Sequence, residues 1–363
     1  MRRFWFVDTL KFLGAQCILL HHLSIYGPIA QEIGFEYPIA LDDFTEITRL
    51  AVQVFLVISG YLTAQALSQM REVDLMGLLV KRYARLAPFY LLSLGFCVLV
   101  SIFLEDYLWG SWVPEVPSVL GFLAHAFLLE GLLDVPSISS GVWYVAIDFQ
   151  LFGLTMIMAS LLSKRAHGCV DSTKLKRVLA LLGLISLWVF NLHEALDNWA
   201  IYFFGAYALG LFARWAQDGV ASRKLFWCVW LLGGLSVIYE PRIRIFTALV
   251  ASLALFLWAQ NRGDFLSDRF KSKLALLGDS AYAVFLNHFV LIMVFSAVWN
   301  AFEWQGLQSA FLMTLAYWAC ALMWGIYLHT LVESQLQRLH ASCMALYKRR
   351  AQPRSATELY KAI

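Results

Sequence analysis

The sequence predicts an all-α fold, a polytopic membrane helix bundle of about ten transmembrane helices. Of the 363 residues, 60% are hydrophobic and only 15% are charged, whereas soluble domains carry charges at about a quarter of their positions. Hydrophobic stretches of about 17–25 residues, long enough to cross a bilayer as a helix, recur along the whole chain. We expect the spans at 8–30, 49–69, 83–104, 142–163, 177–193, 199–215, 225–239, 243–260, 280–302 and 309–333.

The charges between the spans predict which side of the membrane each loop faces. The connections 71–85 and 164–177 are rich in Lys and Arg, and such loops stay in the cytoplasm. The loop 105–117 between them carries acidic residues and no Lys or Arg, which favours the outer side.

One further apolar stretch, 118–133, is predicted not to span. The chain must cross the membrane an odd number of times between the outer loop and the next cytoplasmic one, and 142–163 supplies one crossing. We therefore expect 118–133 to form a re-entrant or interfacial helix on the outer side, with His125 and Glu130 as candidates to line a cavity.

Ten spans place both termini in the cytoplasm. All of the 28 Lys and Arg residues then fall on the inner side except Arg49, Arg242 and Arg244. We expect one membrane domain, 1–333, followed by a basic cytoplasmic tail, 334–363. No internal repeat is visible in the sequence, although many transporters carry one.

The cysteines are predicted to be free thiols. They show no CxxC pair and no spacing typical of a metal site, so we expect neither a disulfide framework nor a bound metal. The six are Cys17, Cys97, Cys169, Cys228, Cys320 and Cys343.

Two ionisable side chains share one face of the first span. Lys11 and His22 are eleven residues apart, which corresponds to about 20° of rotation and roughly 16 Å of rise along a helix. Ionisable groups are costly in lipid and usually face a cavity or the bundle interior. A histidine at this depth is a candidate for proton transfer, although a simple hydrogen bond to a neighbouring helix explains it equally well.

Cations cluster near the predicted cytoplasmic end. Arg82 and Arg85 lie one turn apart at the start of the third span, where two guanidinium groups can grip a phosphate. Ordinary positive-inside anchoring is the alternative. Asp8 lies three residues before Lys11, and an ion pair between these two is the simplest reading.

Asp148 lies within the fourth span, where an acidic side chain needs a partner. His22 is the nearest candidate by depth, and a carboxylate would fix the tautomer of its imidazole and raise its basicity. Pairing with Tyr144 or with a cation elsewhere is the structural alternative. His288 is a further buried ionisable group, and Glu333 is a candidate partner for Arg82 or Arg85.

Six short motifs follow one another between residues 8 and 333. They are Asp8-x-x-Lys11 with His22, Phe55-x-x-x-Ser59-Gly60-Tyr61-Leu62, Arg82-x-x-Arg85 with Pro88 and Tyr90, Trp143 with Asp148 and Gln150, Ser280-x-Tyr282-x-x-Phe285-Leu286-x-His288, and Val332-Glu333. In this order they resemble the signatures of the acyltransferase-3 family of multi-spanning membrane acyltransferases. The departures are Asp148 for the usual Glu, Phe285 for the common Tyr and Thr9 for the usual Gly.

The resemblance implies transfer of an acyl group, commonly acetyl, from acyl-CoA to a hydroxyl of a glycan or lipid-linked sugar. His22 would then be the catalytic residue, without a metal, and we expect Asp148 to join it as the group that orients its imidazole. Lys11, Arg82 and Arg85 would hold the phosphates of the CoA donor or shape its entrance. Supporting roles are expected for Asp8, Ser59, Trp143, Tyr282, His288 and Glu333.

The expected setting is the inner (plasma) membrane of a bacterial cell, where the protein would modify cell-envelope polysaccharide. The expected partners are acetyl-CoA or another acyl-CoA, the glycan acceptor, membrane lipid and proteins of polysaccharide biosynthesis, with no role for nucleic acid. Either general-base catalysis or an acyl-histidine relay fits the residues. The alternative function is a transporter or flippase that uses the same buried groups as a proton or substrate pathway, and a sensor or scaffold without chemistry is a third class.

Overall fold

The computed structural model describes residues 4–70, 73–108, 110, 112–163, 172–260 and 267–351, and all regular secondary structure within them is helical. Parts of the loops used to predict sidedness, 71–72 and 164–171, lie outside these residues. The helices are α1 (Trp5–Ile25), α2 (Pro28–Glu36), α3 (Pro38–Arg49), α4 (Ala51–Leu67), α5 (Leu75–Phe103), α6 (Val119–Ala126), α7 (Val142–Ser163), α8 (Ser172–Trp188), α9 (Ala200–Trp215), α10 (Val220–Tyr239), α11 (Ile243–Gln260), α12 (Asp268–Ala301) and α13 (Leu307–Ala351).

The described residues contain eight helical stretches that are long and apolar enough to cross a membrane, which makes this a multi-pass membrane protein. The predicted count of ten is not confirmed, because α1 and α9 fall outside this set. Helix α9 has 16 residues and is about 24 Å long, less than the roughly 30 Å of a bilayer core. The eight stretches are Pro38–Leu67, Leu75–Phe103, Val142–Leu162, Thr173–Leu192, Val220–Tyr239, Ile243–Gln260, Asp268–Ala301 and Leu307–Gln335.

Helices α1 and α9 nevertheless pack inside the bundle, α1 against α12 and α9 against α4. Small residues allow the second of these contacts. A Cβ added to Gly60 would overlap the carbonyl oxygen of Tyr207, and one added to Gly210 would overlap that of Val57. Membrane helices without a hydrophobic drive to associate commonly use such small residues for close backbone contact.

The apolar core has two parts. One part lies mainly among α4 and α7–α11, and the other mainly among α1, α5, the beginning of α7, α12 and α13. Helices α4 and α7 contribute to both parts, so side chains from the two halves meet along them. The candidate site lies at this junction.

The segment 118–133 forms a single eight-residue helix, α6, followed by turns. At 1.5 Å per residue α6 is about 12 Å long, which is too short to cross a bilayer. The segment inserts between α5 and α7, because the Tyr83 hydroxyl donates to the Ala126 carbonyl at 2.8 Å and Gln150 Nε2 donates to the Leu128 carbonyl at 3.3 Å. This agrees with the prediction that 118–133 does not span.

His125 has a structural role in this segment. Its Nδ1 lies 2.9 Å from the Gly121 carbonyl, and its Nε2 accepts from the Ile138 amide at 3.3 Å. Both ring nitrogens are therefore engaged by backbone, and the side chain is fully buried. Glu130, in contrast, lines a cavity, as predicted for it.

Helix α13 continues through the predicted boundary at 333/334 as far as Ala351. The cytoplasmic location of the tail 334–363 stays a prediction, and residues 352–363 lie outside the described ones. Cys17, Cys97, Cys228 and Cys320 are free thiols, as predicted, whereas the predictions for Cys169 and Cys343 concern side chains outside the described part.

Candidate active site

Two parallel helices, α1 and α12, bring His22 next to His288. Near the start of α1, Asp8 packs so closely on Gly278 that a Cβ on the glycine would lie 2.5 Å from the Asp8 Cβ. Further along both helices, His22 Nδ1 lies 2.6 Å from His288 Nε2, and both rings are buried. The two contacts follow in the same order on both helices, so α1 and α12 run in the same direction.

The hydrogen bonds of this pair assign its tautomers. His288 Nδ1 lies 2.5 Å from the carbonyl oxygen of Phe285, and a carbonyl oxygen only accepts, so Nδ1 carries a proton. In a neutral ring His288 Nε2 then accepts, and the donor must be His22 Nδ1–H. The remaining nitrogen of His22, Nε2, is left unprotonated, as a general base or nucleophile requires.

A cavity of about 280 Å³ borders His22. Gly141 keeps the edge of the imidazole open, since a Cβ there would lie 3.6 Å from His22 Cε1 and 3.2 Å from Phe285 Cζ. Its φ of +86° also favours glycine. The other lining residues come from the predicted outer halves of α1, α4 and α7, from the end of α3 and from the segment before α7, and they include His21, Tyr26, Arg49, Val52, Ser137 and Trp143.

Asp148 does not orient His22: the pairing suggested by depth is wrong, and the alternative of a cation elsewhere is confirmed. Within the described residues, one oxygen of Asp148 accepts from the Ser59 hydroxyl and the other lies 2.5 Å from Arg82 Nη2. His288 takes the place expected for Asp148. The reason is the azimuth of α7, which directs Asp148 toward α4 and α5 instead of α1.

An aromatic layer separates the cavity from this ion pair. The rings of Phe55, Tyr144 and Phe285 contact one another, with centroids 5.6–5.9 Å apart, and all three line the cavity. Ser59 and Asp148 follow Phe55 and Tyr144 by one helical turn toward the predicted cytoplasmic end. The buried ion pair therefore lies beneath the floor of the cavity.

The three predicted donor-binding cations have different surroundings. The guanidinium of Arg82 turns inward to Asp148 and lies 5.0 Å from the ring centre of Phe152. Arg85 is exposed. Lys11, with 27% of its side chain exposed, lies 3.7 Å from Asp8, as the simple ion-pair reading predicted. Arg82 and Arg85 thus do not face one phosphate site as a pair.

The other supporting residues are scattered around this core. Tyr282 donates to the Leu86 carbonyl at 3.3 Å and so joins α12 to α5. Trp143 lines the cavity and is partly exposed. Glu333 was a candidate partner for Arg82 or Arg85; Arg82 pairs with Asp148, and Glu333 is exposed in the middle part of α13.

Sequence reasoning had named His288 but missed its direct contact with His22. The signal that could have found this contact was the similar predicted depth of the two histidines in the membrane, since both lie in spans predicted to run outward. The sequence gave weaker reasons to single out Gln53 and the surroundings of Glu130 as parts of a site, because single polar residues near a helix end are usually solvated. Their importance appears only from the cavity that they share.

A family model described as an acyltransferase domain matches residues 4–332, nearly the whole chain. No curated protein and no solved structure matches the chain.

Proposed function

Because the chain belongs to the acyltransferase-3 family, we propose that this multi-pass membrane acyltransferase moves an acyl group, acetyl in the first instance, from acyl-CoA to a sugar hydroxyl. The acceptor is a glycan or lipid-linked sugar at the predicted outer face of a bacterial inner membrane. Proteins that build the polysaccharide are the natural partners of such an activity.

The His22–His288 pair carries this proposal. A buried imidazole whose Nδ1 is held by hydrogen bonding, and whose Nε2 has no hydrogen-bond partner among the described residues, has the arrangement of a general base. The cavity beside it has room for a reacting hydroxyl. The surrounding aromatic rings limit water, which would otherwise compete as acceptor.

The proposed reaction is direct transfer. His22 Nε2 removes the proton of the acceptor hydroxyl while the hydroxyl oxygen attacks the thioester carbonyl. The C–S bond breaks, the sulfur takes the proton from the imidazolium, and the products are the sugar ester and CoA. General-base assistance of this kind is typically worth about 10²–10⁴ in rate.

An acyl-histidine relay is the second route. Here His22 Nε2 attacks the thioester carbonyl, the C–S bond breaks and CoA leaves as the thiolate. The sugar hydroxyl then attacks the acyl carbon, the C–N bond to His22 breaks, and the hydroxyl proton passes to the thiolate. Both routes use the same nitrogen, so rapid denaturation at neutral pH, followed by measurement of label on the protein, separates them. Acyl label that is found on the wild-type protein and is absent from His22→Ala favours the relay.

On the predicted cytoplasmic side, Lys11 and Arg85 are proposed to meet the donor phosphates. The distance from Lys11 to His22 along α1, roughly 16 Å, is what a donor bound at that surface must span. The layer of Phe55, Tyr144 and Phe285 lies between this surface and the cavity, so the proposal requires the thioester to pass these rings. Arg82 is proposed to shape this entrance through its pair with Asp148.

The test uses purified protein in nanodiscs with acetyl-labelled acetyl-CoA and a glycan extract of the cell envelope. Release of CoA thiol and label in the glycan are measured together. His22→Ala is expected to lose both activities at least 100-fold. The matched control is His193→Ala, which removes an exposed histidine and is expected to leave both rates unchanged.

The same assay distinguishes the alternative class. A transporter or flippase would move its substrate without consuming the thioester. Full activity of His22→Ala, or glycan movement without CoA release by the wild type, would overturn the proposed function.

A further inference from the structure

A second cavity, of about 300 Å³, adjoins the one beside His22. Arg49, Val52 and Trp143 line both, so the two spaces share a wall. Each is near the lower size limit of small-ligand sites, about 300–1,000 Å³. The lining residues of the second cavity come from loops and helix ends that the charge pattern predicts to lie outside and from the first turns of α7; they include Gly131, Ala146, Gln150, Asp197, Asn198 and Arg244.

Two buried polar side chains of this cavity have unsatisfied oxygens. Gln53 is 4% exposed and Glu130 is 3% exposed. Among the described residues, Gln53 Oε1 has no hydrogen-bond partner. Neither carboxylate oxygen of Glu130 is in full hydrogen-bond geometry, and its protein neighbour is the buried Tyr90 hydroxyl, which is itself unsatisfied. Buried acceptors are nearly always paired. The Tyr90 hydroxyl can satisfy one Glu130 oxygen, so Gln53 Oε1 and the other Glu130 oxygen are the two acceptors that indicate a ligand with hydrogen-bond donors. Burial also raises the pKa of Glu130 to about 7.

Trp143 provides an apolar face between the two cavities. Its ring packs against Phe203 at 5.6 Å between centroids, which fixes its orientation, while 37% of the residue stays exposed. A flat aromatic face beside clustered hydrogen-bonding oxygens suits a sugar ring, which has C–H groups on its faces and hydroxyls around its edge. A lipid chain would leave the oxygens unpaired.

The charges at the rim favour a neutral sugar. Arg49 pairs with Glu46 at 2.8 Å, and Arg244 pairs with Glu194 at 3.3 Å. Asp197 also lines the cavity. The two arginines are thus already balanced by acids, and an anionic group would meet additional negative charge.

We propose that this second cavity binds one neutral glycosyl unit of the acceptor and presents its hydroxyl to His22. The sugar stacks on Trp143 and donates hydroxyl protons to Gln53 and Glu130, while the hydroxyl to be acylated passes into the neighbouring cavity. This inference rests on the proposed function and names the acceptor subsite for it.

The test compares variants of the full-length protein in nanodiscs. The probes are methyl glycosides of glucose, galactose, mannose and N-acetylglucosamine, methyl glucuronide as the anionic counterpart, and the best neutral sugar linked to a polyprenyl phosphate. Binding is followed by saturation-transfer NMR without acetyl-CoA, and transfer by label in the sugar. The carrier-linked probe shows whether free or lipid-linked sugar is the better source.

Trp143→Leu and Gln53→Leu are expected to raise the KM for the sugar roughly tenfold or more and to leave the KM for acetyl-CoA unchanged. Trp143→Phe keeps an aromatic face, so its KM for the sugar should lie between the values of these two variants and that of the wild type. The matched control is Trp304→Leu, since Trp304 is 39% exposed at the same predicted outer end but packs on Trp299 and Phe302, away from the cavity.

The outcomes separate the two proposals. If the wild type binds a neutral glycoside through Trp143 but never consumes acetyl-CoA, the proposed function fails and the sugar subsite stands. If the wild type transfers label but Trp143→Leu and Gln53→Leu keep the wild-type KM for sugar, the subsite is wrong. Preference for methyl glucuronide, or no glycoside signal that depends on Trp143, would also overturn it.

Discussion

Removing the hydrogen bond between the two buried histidines is expected to slow acyl transfer without abolishing it. In His288→Leu, the Nδ1–H of His22 loses its acceptor while the ring stays buried. The imidazole can then take up the other tautomer, in which Nε2 carries the proton and cannot accept one from the substrate.

The expected loss of rate in His288→Leu follows from the Nδ1–H of His22, which is left without a hydrogen-bond acceptor. Leaving a buried N–H unpaired costs about 1–3 kcal/mol, which corresponds to roughly 5- to 150-fold in kcat. His22→Ala removes the base itself and should lose about 10²–10⁴. His288→Gln places an amide oxygen near the position of His288 Nε2, so it should recover part of the lost rate.

The assay measures kcat and KM for acetyl-CoA and for the sugar separately. His288→Leu should lower kcat and leave both KM values close to those of the wild type, because His288 acts through His22. Size-exclusion profiles and melting temperatures establish that the variants fold. Equal rates for His288→Leu and the wild type, or a loss well beyond about 150-fold, would refute the positioning role.

Gly141→Ala should lower transfer in a folded protein, because its φ of +86° disfavours a side chain and the added Cβ presses on Phe285 beside His22; wild-type CoA release would contradict this. Gly60→Ala should lower the melting temperature in detergent, since the new Cβ overlaps a carbonyl of α9. Arg82→Leu or Asp148→Leu alone should cost about 3–5 kcal/mol of stability by stranding a buried charge, and the double variant should recover most of it; equal losses in all three would exclude this pairing. Burial raises the pKa of Glu130 from 4.5 to about 7, so the folded state binds this proton more tightly and stability falls as pH rises through that window. Glu130→Gln should therefore flatten the difference in melting temperature between pH 5 and pH 8.

The sequence predicted the parts of the fold that depend on local composition. Apolar length identified most spans, and loop charge showed that 118–133 is not one of them, which α6 confirms with its eight residues. The count of ten was less secure because α9 is short and α1 is interrupted by charge. Such helices belong to the bundle because they pack on their neighbours, and the hydropathy of a segment does not show whether it packs in this way.

The candidate site was predicted as a set of residues but not as a set of contacts. His22, His288, Asp148 and Arg82 all lie inside the bundle, as residues of their kind in apolar segments should. Depth alone suggested that Asp148 would reach His22. The structure pairs Asp148 with Arg82 because two helices at similar depth can direct their side chains to opposite sides.

The amino-acid sequence by itself determined a helical membrane protein, its family motifs and His22 as the candidate for the proposed chemistry. The bilayer enforces these features locally, because each span must be apolar and must satisfy its own backbone hydrogen bonds. Only the tertiary structure decided which ionisable groups are partners and that Trp143, Gln53 and Glu130 border one cavity beside His22. Those relations depend on the rotation and close approach of helices distant in sequence, which glycines such as Gly278 permit and which no single segment encodes.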